Sequence, residues 1–174
     1  CGWRLNEAIH AARSMENLPR FYFEQPCSTM EECIEVRKHT NLPMIYDEIV
    51  SDVATLIRAV REGGAGGFNL KISKVGGLTK AKQMRDLCQE LGLQITVEDT
   101  WGGDIVTATS AHVAASIKER SLLSVSFMND WIREHIAGHN PRSNNGFGHV
   151  PTGPGLGIEV DLSLLEEPLF SVGA

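Results

Sequence analysis

The chain has 174 residues, 42% of them hydrophobic and 22% charged, with a formal net charge of −6. That composition excludes a disordered tail and a coiled coil, and no apolar run approaches the roughly 20 residues of a membrane span. Lys and Arg are spread along the chain, so neither nucleic acid nor a membrane is an expected partner.

Cys1-Gly2-Trp3 opens the chain without an initiator Met. Phe21-Tyr22-Phe23 is a short apolar run, and a helix is predicted near 28–40, where Ser28 and Glu31 have the spacing of a capping box. After Met44-Ile45-Tyr46, Val53, Leu56, Ile57 and Val60 recur at helical spacing. The glycines at 63, 64, 66 and 67 predict a helix-to-strand turn. Phe68 to Ile72 alternates with period two, which predicts a strand. Ala81, Met84, Leu87, Cys88 and Leu91 then share one helix face. Leu93 to Val97 is the next predicted strand, a helix from about 104 to 117 follows, and Leu122 to Met128 is the last strand. This βαβα order predicts an α/β fold with a parallel sheet covered by helices. Residues 138–160, rich in Gly and Pro, predict an irregular return loop. The expected division is βα units over 1–137 and a return segment over 138–174. The cysteines, at 1, 27, 33 and 88, form no C-x-x-C pair, and two fall at helix-core positions. Reduced thiols and a cytoplasmic setting are therefore expected.

The polar residues carry the functional signal. Glu24 follows the first apolar run, and Asp47 follows the second. Lys71 lies in the third strand on the face opposite Phe68, Leu70 and Ile72. Glu98 and Asp99 end the fourth strand, and Asn129 and Asp130 end the fifth. A lone carboxylate after a strand is ordinarily a helix N-cap. Charged groups at the carboxyl ends of successive parallel strands, one of them a lysine within an apolar run, instead converge on one mouth. That is the layout of a β/α-barrel active site. Glu24 and Asp47 are hard oxygen ligands suited to magnesium, and no His or Cys stands at these strand ends to suggest zinc. Lys71, desolvated and beside a cation, is expected to have a lowered pKa and to act as a general base.

Three motifs recur in order: Phe23-Glu24-Gln25-Pro26, then Tyr46-Asp47-Glu48, then the run from Asn69 through Lys71 and Lys74 to Gly76-Gly77-Leu78. A tail from His149 to Asp161 with Pro-x-Gly-Pro-Gly-Leu-Gly completes the set. Together they resemble the enolase superfamily, in its muconate-lactonizing and dipeptide-epimerase branch. The resemblance implies the C-terminal part of a (β/α)7β TIM-like barrel, incomplete in this chain. It implies one magnesium ion per site held by Glu24 and Asp47, with Gln25, Glu48 and Lys74 behind the ligands and Lys71 as a catalytic lysine. The family's third ligand, in an Asp-Ala-Asn run before the Trp matched by Trp3, and its Lys-x-Lys motif would lie upstream of Cys1. The chain is thus expected to be the C-terminal portion of a longer polypeptide, because it shows about five strands of a barrel that needs eight. The return segment would pack towards an N-terminal capping domain, and the full-length protein would be a homo-oligomer acting on a small molecule.

The segment Glu98-Asp99-Thr100-Trp101-Gly102-Gly103-Asp104 resembles the proline-derivative branch of that superfamily, with its cis-3-hydroxy-L-proline dehydratases and betaine epimerases. It implies that Glu98, Asp99 and Asp130 pair with a substrate ammonium and that Trp101 packs on the ring or offers a cation–π face. The implied reaction removes the α-proton of a cyclic amino acid, forms an enediolate and expels a 3-hydroxyl. The alternatives are 2-epimerisation of proline betaines, proline derivatives or dipeptides, and a non-catalytic fragment. His112, on an apolar helix face, is expected to be a satisfied core histidine. Gly76-Gly77 is expected to serve close packing rather than anion binding.

Overall fold

The computed structural model describes residues 2–19, 21–168, 170 and 172. It opens with α1 (Leu5–Met15), a helix absent from the predicted pattern. Its inner face is built on Ala8 and Ala12, both fully buried, with Leu5, Ile9 and Met15 packed against the core. Leu5, Ala8, Ile9, Ala12 and Met15 do recur at helical spacing, so the segment is legible as an amphipathic helix that sequence reasoning missed.

The strands and helices then alternate: β1 (Phe23–Glu24), α2 (Met30–Arg37), β2 (Met44–Tyr46), α3 (Val53–Arg61), β3 (Ala65–Lys71), α4 (Leu78–Glu90), β4 (Gln94–Glu98), α5 (Gly103–Ala115) and β5 (Leu122–Val125). The five strands form one parallel sheet in sequence order, with β1 and β5 at its edges. A helical crossover between each neighbouring pair is what parallel pairing requires. The expected α/β architecture, a part of a barrel wall, is therefore present.

Three local expectations shift. The capping residue of α2 is Thr29 rather than Ser28: Thr29 Oγ1 accepts from Glu32 N at 3.2 Å and donates to Glu32 Oε2 at 2.8 Å. The side-chain cap sits one residue later because the same polar spacing repeats there. The last strand stops at Val125, and Met128–Trp131 forms a 3₁₀ turn that buries Asn129. The stretch predicted to be irregular contains a small antiparallel hairpin, β6 (Ser143–Asn144) and β7 (Phe147–Gly148). Asn145 and Gly146 both have positive φ, 52° and 81°, as an Asn-Gly hairpin turn demands.

The strand faces divide by chemistry. Phe68 and Leu70 on β3 and Ile95 and Val97 on β4 join one buried cluster with Leu56, Ala81, Met84 and Cys88 from the covering helices. The alternate residues lie on the other face of the sheet. β3 and β4 pair in a register that sets Asn69 beside Thr96 and Lys71 beside Glu98. Period-two alternation thus gives the apolar side chains to the helices and delivers Lys71 and Glu98 to the other face, at the carboxyl end of the sheet. Among the described residues no helix is long and apolar enough to cross a membrane.

Candidate active site

Glu24 ends β1, which pairs with β2 through Glu24 and Ile45, and Asp47 directly follows β2. Gln25 extends the ladder, its N–H donating to Ile45 O at 2.9 Å. The Gln25 side chain is 2% exposed. Its Oε1 accepts from the backbone N–H of Asp47 at 2.9 Å and of Ile49 at 3.1 Å. Its Nε2 donates to Glu48 Oε2 at 3.0 Å.

Lys71, at the last position of β3, meets three carboxylates from two neighbouring strands. Its Nζ lies 2.5 Å from Asp47 Oδ2, 3.0 Å from Glu48 Oε1 and 3.2 Å from Glu98 Oε2. Lys74 reaches the same aspartate from the turn after β3. It donates to Asp47 Oδ1 and Asp47 O, both at 2.8 Å, and to Asn69 O at 3.0 Å, with its ammonium 4.9 Å from the Phe68 ring centroid. That reach depends on a tight reversal in which Gly77 N donates to Ile72 O at 2.9 Å. Gly76 and Gly77 have φ of 87° and 108°, a region that side chains with a Cβ rarely enter. The glycine pair therefore serves chain reversal at the start of α4.

The protein's own groups act on Lys71 in the direction opposite to that expected of a neighbouring cation. Burial pulls the Lys71 pKa down, but hydrogen bonds to Asp47 and Glu48 and the charges of Asp47 and Glu98 outweigh it, and the net shift is upward. Lys71 is thus held as an ammonium, because three carboxylates meet on it. Lys74 behaves in the opposite way, its burial lowering its pKa against the pull of Asp47. Glu48 is held at about 2: burial opposes this, but a backbone hydrogen bond and the Lys71 ammonium prevail. For Glu98, burial and the charges of Asp47 and Glu24 push the carboxyl upward against Lys71.

The carboxylates at the β4 and β5 ends have other work. Asp99 is 1% exposed. Its Oδ2 accepts from Thr107 Oγ1 at 2.5 Å and its Oδ1 from Gly102 N at 3.2 Å, which caps the start of α5. This corrects the expectation that Asp99 holds a substrate ammonium: its oxygens are turned into the fold. Asp130 likewise accepts from His139 Nε2 at 2.7 Å, Ser143 Oγ at 2.5 Å and Ser143 N at 3.2 Å, so it ties the β6–β7 hairpin to the end of β5. Asp104, part of the quoted motif but given no role, is a third anchor. It accepts from Asn129 Nδ2 at 2.9 Å, His135 Nδ1 at 3.0 Å and Ala137 N at 2.9 Å. Trp101 is 59% exposed with φ of 64°, and its ring lies 6.0 Å from that of the still more exposed Trp131, a partner sequence reasoning missed. His112 Nε2 lies 3.1 Å from Leu156 O, consistent with a satisfied histidine.

The donor chemistry fits a hard divalent cation. Glu24 and Asp47 close adjacent strands with carboxylate oxygens, and neither His nor Cys directly follows any strand of the parallel sheet. Among the described residues no three His, Cys, Asp or Glu side chains converge closely enough to hold a metal by themselves. Two carboxylates with water in the remaining positions suit magnesium better than zinc.

The enolase C-terminal domain-like family model matches residues 1–164. A cis-3-hydroxy-L-proline dehydratase of Roseibium aggregatum is 44% identical over 168 residues, covering 97% of this chain and 46% of that enzyme. A mandelate racemase/muconate lactonizing enzyme of Roseovarius nubinhibens superposes with a TM-score of 0.90 at 36% identity, over 97% of this chain and 46% of its own. An enolase-superfamily member of the same organism, complexed with magnesium, gives a TM-score of 0.90 at 28% identity, over 97% and 46%. The chain spans about half the length of these relatives.

Proposed function

The chain belongs to the enolase C-terminal domain-like family, and from that premise we propose that the full-length protein dehydrates cis-3-hydroxy-L-proline by way of its α-proton. The observation that carries this reading is Lys71, set at the carboxyl end of β3 among Asp47, Glu48 and Glu98. The 44% identity to a dehydratase of that substrate supports the choice of reaction.

In this reading Lys71 takes the proton from the carbon next to the substrate carboxylate. Glu24 and Asp47 would hold magnesium, one ion per site. The ion would supply positive charge to that carboxylate and, by competing for Asp47, favour the neutral amine of Lys71. Gln25, Glu48 and Lys74 hold Asp47 and Lys71 in place. Glu98 pairs with the substrate ammonium, since Asp99 and Asp130 are engaged elsewhere, and Trp101 lies against the ring. A cytoplasmic, homo-oligomeric enzyme is part of the same proposal. For the compartment, its support is the unpaired, buried Cys27, Cys33 and Cys88. Cys1 lies outside the described residues.

A second reading, 2-epimerisation of a proline betaine, is favoured by the Trp101–Trp131 pair, whose exposed faces suit a quaternary ammonium. The test is to supply full-length protein and magnesium with cis-3-hydroxy-L-proline and with a methylated proline in deuterated water. Loss of the hydroxyl with formation of a ring imine supports dehydration. Deuterium uptake with inversion of the methylated proline alone favours epimerisation. Absence of both ring-imine formation and α-proton exchange with either substrate would sink both readings and favour a non-catalytic chain.

A further inference from the structure

An unbroken line of hydrogen bonds joins three strands at the mouth. It starts at the backbone N–H groups of Asp47 and Ile49, passes through the Gln25 amide to Glu48 Oε2, crosses that carboxylate and ends at Lys71 Nζ. We propose that Gln25 is a positioning residue for Lys71, acting through Glu48. The proposal rests on the reading that Lys71 moves the α-proton.

The argument is one of rigidity passed outward. Gln25 is buried, and two backbone N–H groups fix which way its oxygen points. The amide nitrogen is thereby aimed at Glu48. The Glu48 side chain is 60% exposed and already meets its own backbone N–H, and the Gln25 amide adds a bond from another strand that narrows its rotamers further. Held by one oxygen, it presents the other to Lys71 at 3.0 Å. Only a carboxamide can accept from two N–H groups while donating to a carboxylate. A glutamate at 25 could accept but would repel Glu48, and a methionine could do neither. This explains why a neutral amide stands between two acidic residues, Glu24 and Glu48, at a mouth otherwise lined with charges. A base displaced by about 1 Å can lose roughly 10²-fold in rate, so a fixed Glu48 has catalytic value without touching substrate.

The test uses the full-length protein. Gln25→Glu still accepts from both backbone N–H groups and reverses only the end that faces Glu48. The double variant Gln25→Glu/Glu48→Gln exchanges donor and acceptor and restores the bond, while leaving an oxygen for Lys71. Two readouts are needed: the Lys71 Nζ to residue-48 distance in crystals of each variant, and kcat and KM for α-proton exchange. In Gln25→Glu the contact should be lost, and kcat should fall about 10–100-fold with KM little changed. The double variant should regain both. If the buried carboxylate prevents folding, Gln25→Met makes the cut at the same residue, because a thioether cannot donate to Glu48. A Lys71 contact that survives in Gln25→Glu or in Gln25→Met overturns the proposal, as does a kcat that ignores its loss. If wild-type protein exchanges no α-proton, the proposed function fails, and the crystallographic distances still decide whether Gln25 positions Lys71.

Discussion

Asp47 and Asp99 occupy equivalent places in the chain. Each directly follows a parallel strand, and they are 2% and 1% exposed. The oxygens of Asp47 accept from the ammonium groups of Lys71 and Lys74. Those of Asp99 accept from a backbone N–H and a hydroxyl within its own loop and helix. Burying a carboxylate is costly unless donors meet it, so both sites had to be satisfied, but the donor type decides what the site can do. Cationic donors from another strand leave a carboxylate that can exchange partners with a metal or substrate. Donors from the following loop make a cap. The β1–β3 part of the mouth, joined by Glu98 of β4, is of the first kind. Asp99, Asp104 and Asp130, whose donors come from the loop before α5, from α5 and from residues 129–143, tie the fold together instead.

The sharpest way to break this division is Lys71→Ala in the full-length protein. If the β1–β3 half carries the chemistry, exchange of the substrate α-proton should fall by about 10²–10⁴-fold, the usual contribution of a positioned acid or base. Circular dichroism should change little, although the unfolding midpoint should fall as Asp47 and Glu98 lose a cationic partner. Unaltered exchange would make Lys71 a structural counter-ion and erase the contrast with Asp99.

The opposite substitution tests the other half. Asp99→Ala removes the acceptor for Thr107 and Gly102 and should lower unfolding stability by about 1–3 kcal/mol, the range for orphaned buried donors. KM for an amino-acid substrate should stay near the wild-type value. A raised KM at unchanged stability would restore Asp99 to the binding site and merge the two halves.

Part of this was legible without coordinates. Lys71 stands out because a lysine in a period-two apolar strand must leave the core side, and Glu24 and Asp47 stand out because they follow short apolar runs. The direction of the Lys71 pKa was not legible. It depends on Asp47, Glu48 and Glu98 meeting one ammonium, and strand spacing alone does not reveal how many will. Asp104 was equally hidden: its partners Asn129, His135 and Ala137 lie 25, 31 and 33 residues away. Nothing local distinguishes its three-donor anchor from a solvated first-turn acid. For Asp99 the capping alternative was visible, because an acid before a helix is the usual N-terminal signal, but the branch motif pulled the inference towards substrate.

A smaller effect follows from titration. Burial works to raise the Asp104 carboxyl, but the bonds from Asn129, His135 and Ala137 hold it below the ordinary range. A depressed folded pKa adds stability that is fully present above the unfolded value of about 3.9 and is lost as pH falls through the folded value. Wild-type protein should therefore lose stability more steeply below about pH 4 than Asp104→Asn, with the two slopes equal near pH 6. Urea unfolding across that range would show it. Parallel acid limbs would mean that Asp104 is not the anchor the distances indicate.

The smallest expected effect is at Asp130, whose side chain is 20% exposed and whose partners are Ser143 of the hairpin and His139 just before it. Replacing it with Asn keeps the shape but exchanges one acceptor oxygen for a donor, so it cannot serve His139 and Ser143 together as the carboxylate does. The loss should be local. Backbone amides at 143–148 should exchange with solvent faster, while global stability falls by no more than about 1 kcal/mol. Because Trp131 follows directly and its ring meets Trp101, the same variant should also alter tryptophan fluorescence. If KM for a substrate ammonium rises while hairpin exchange stays the same, Asp130 belongs with Asp47 rather than Asp99. The structural kind would then be confined to the β4 end, with Asp99 and Asp104.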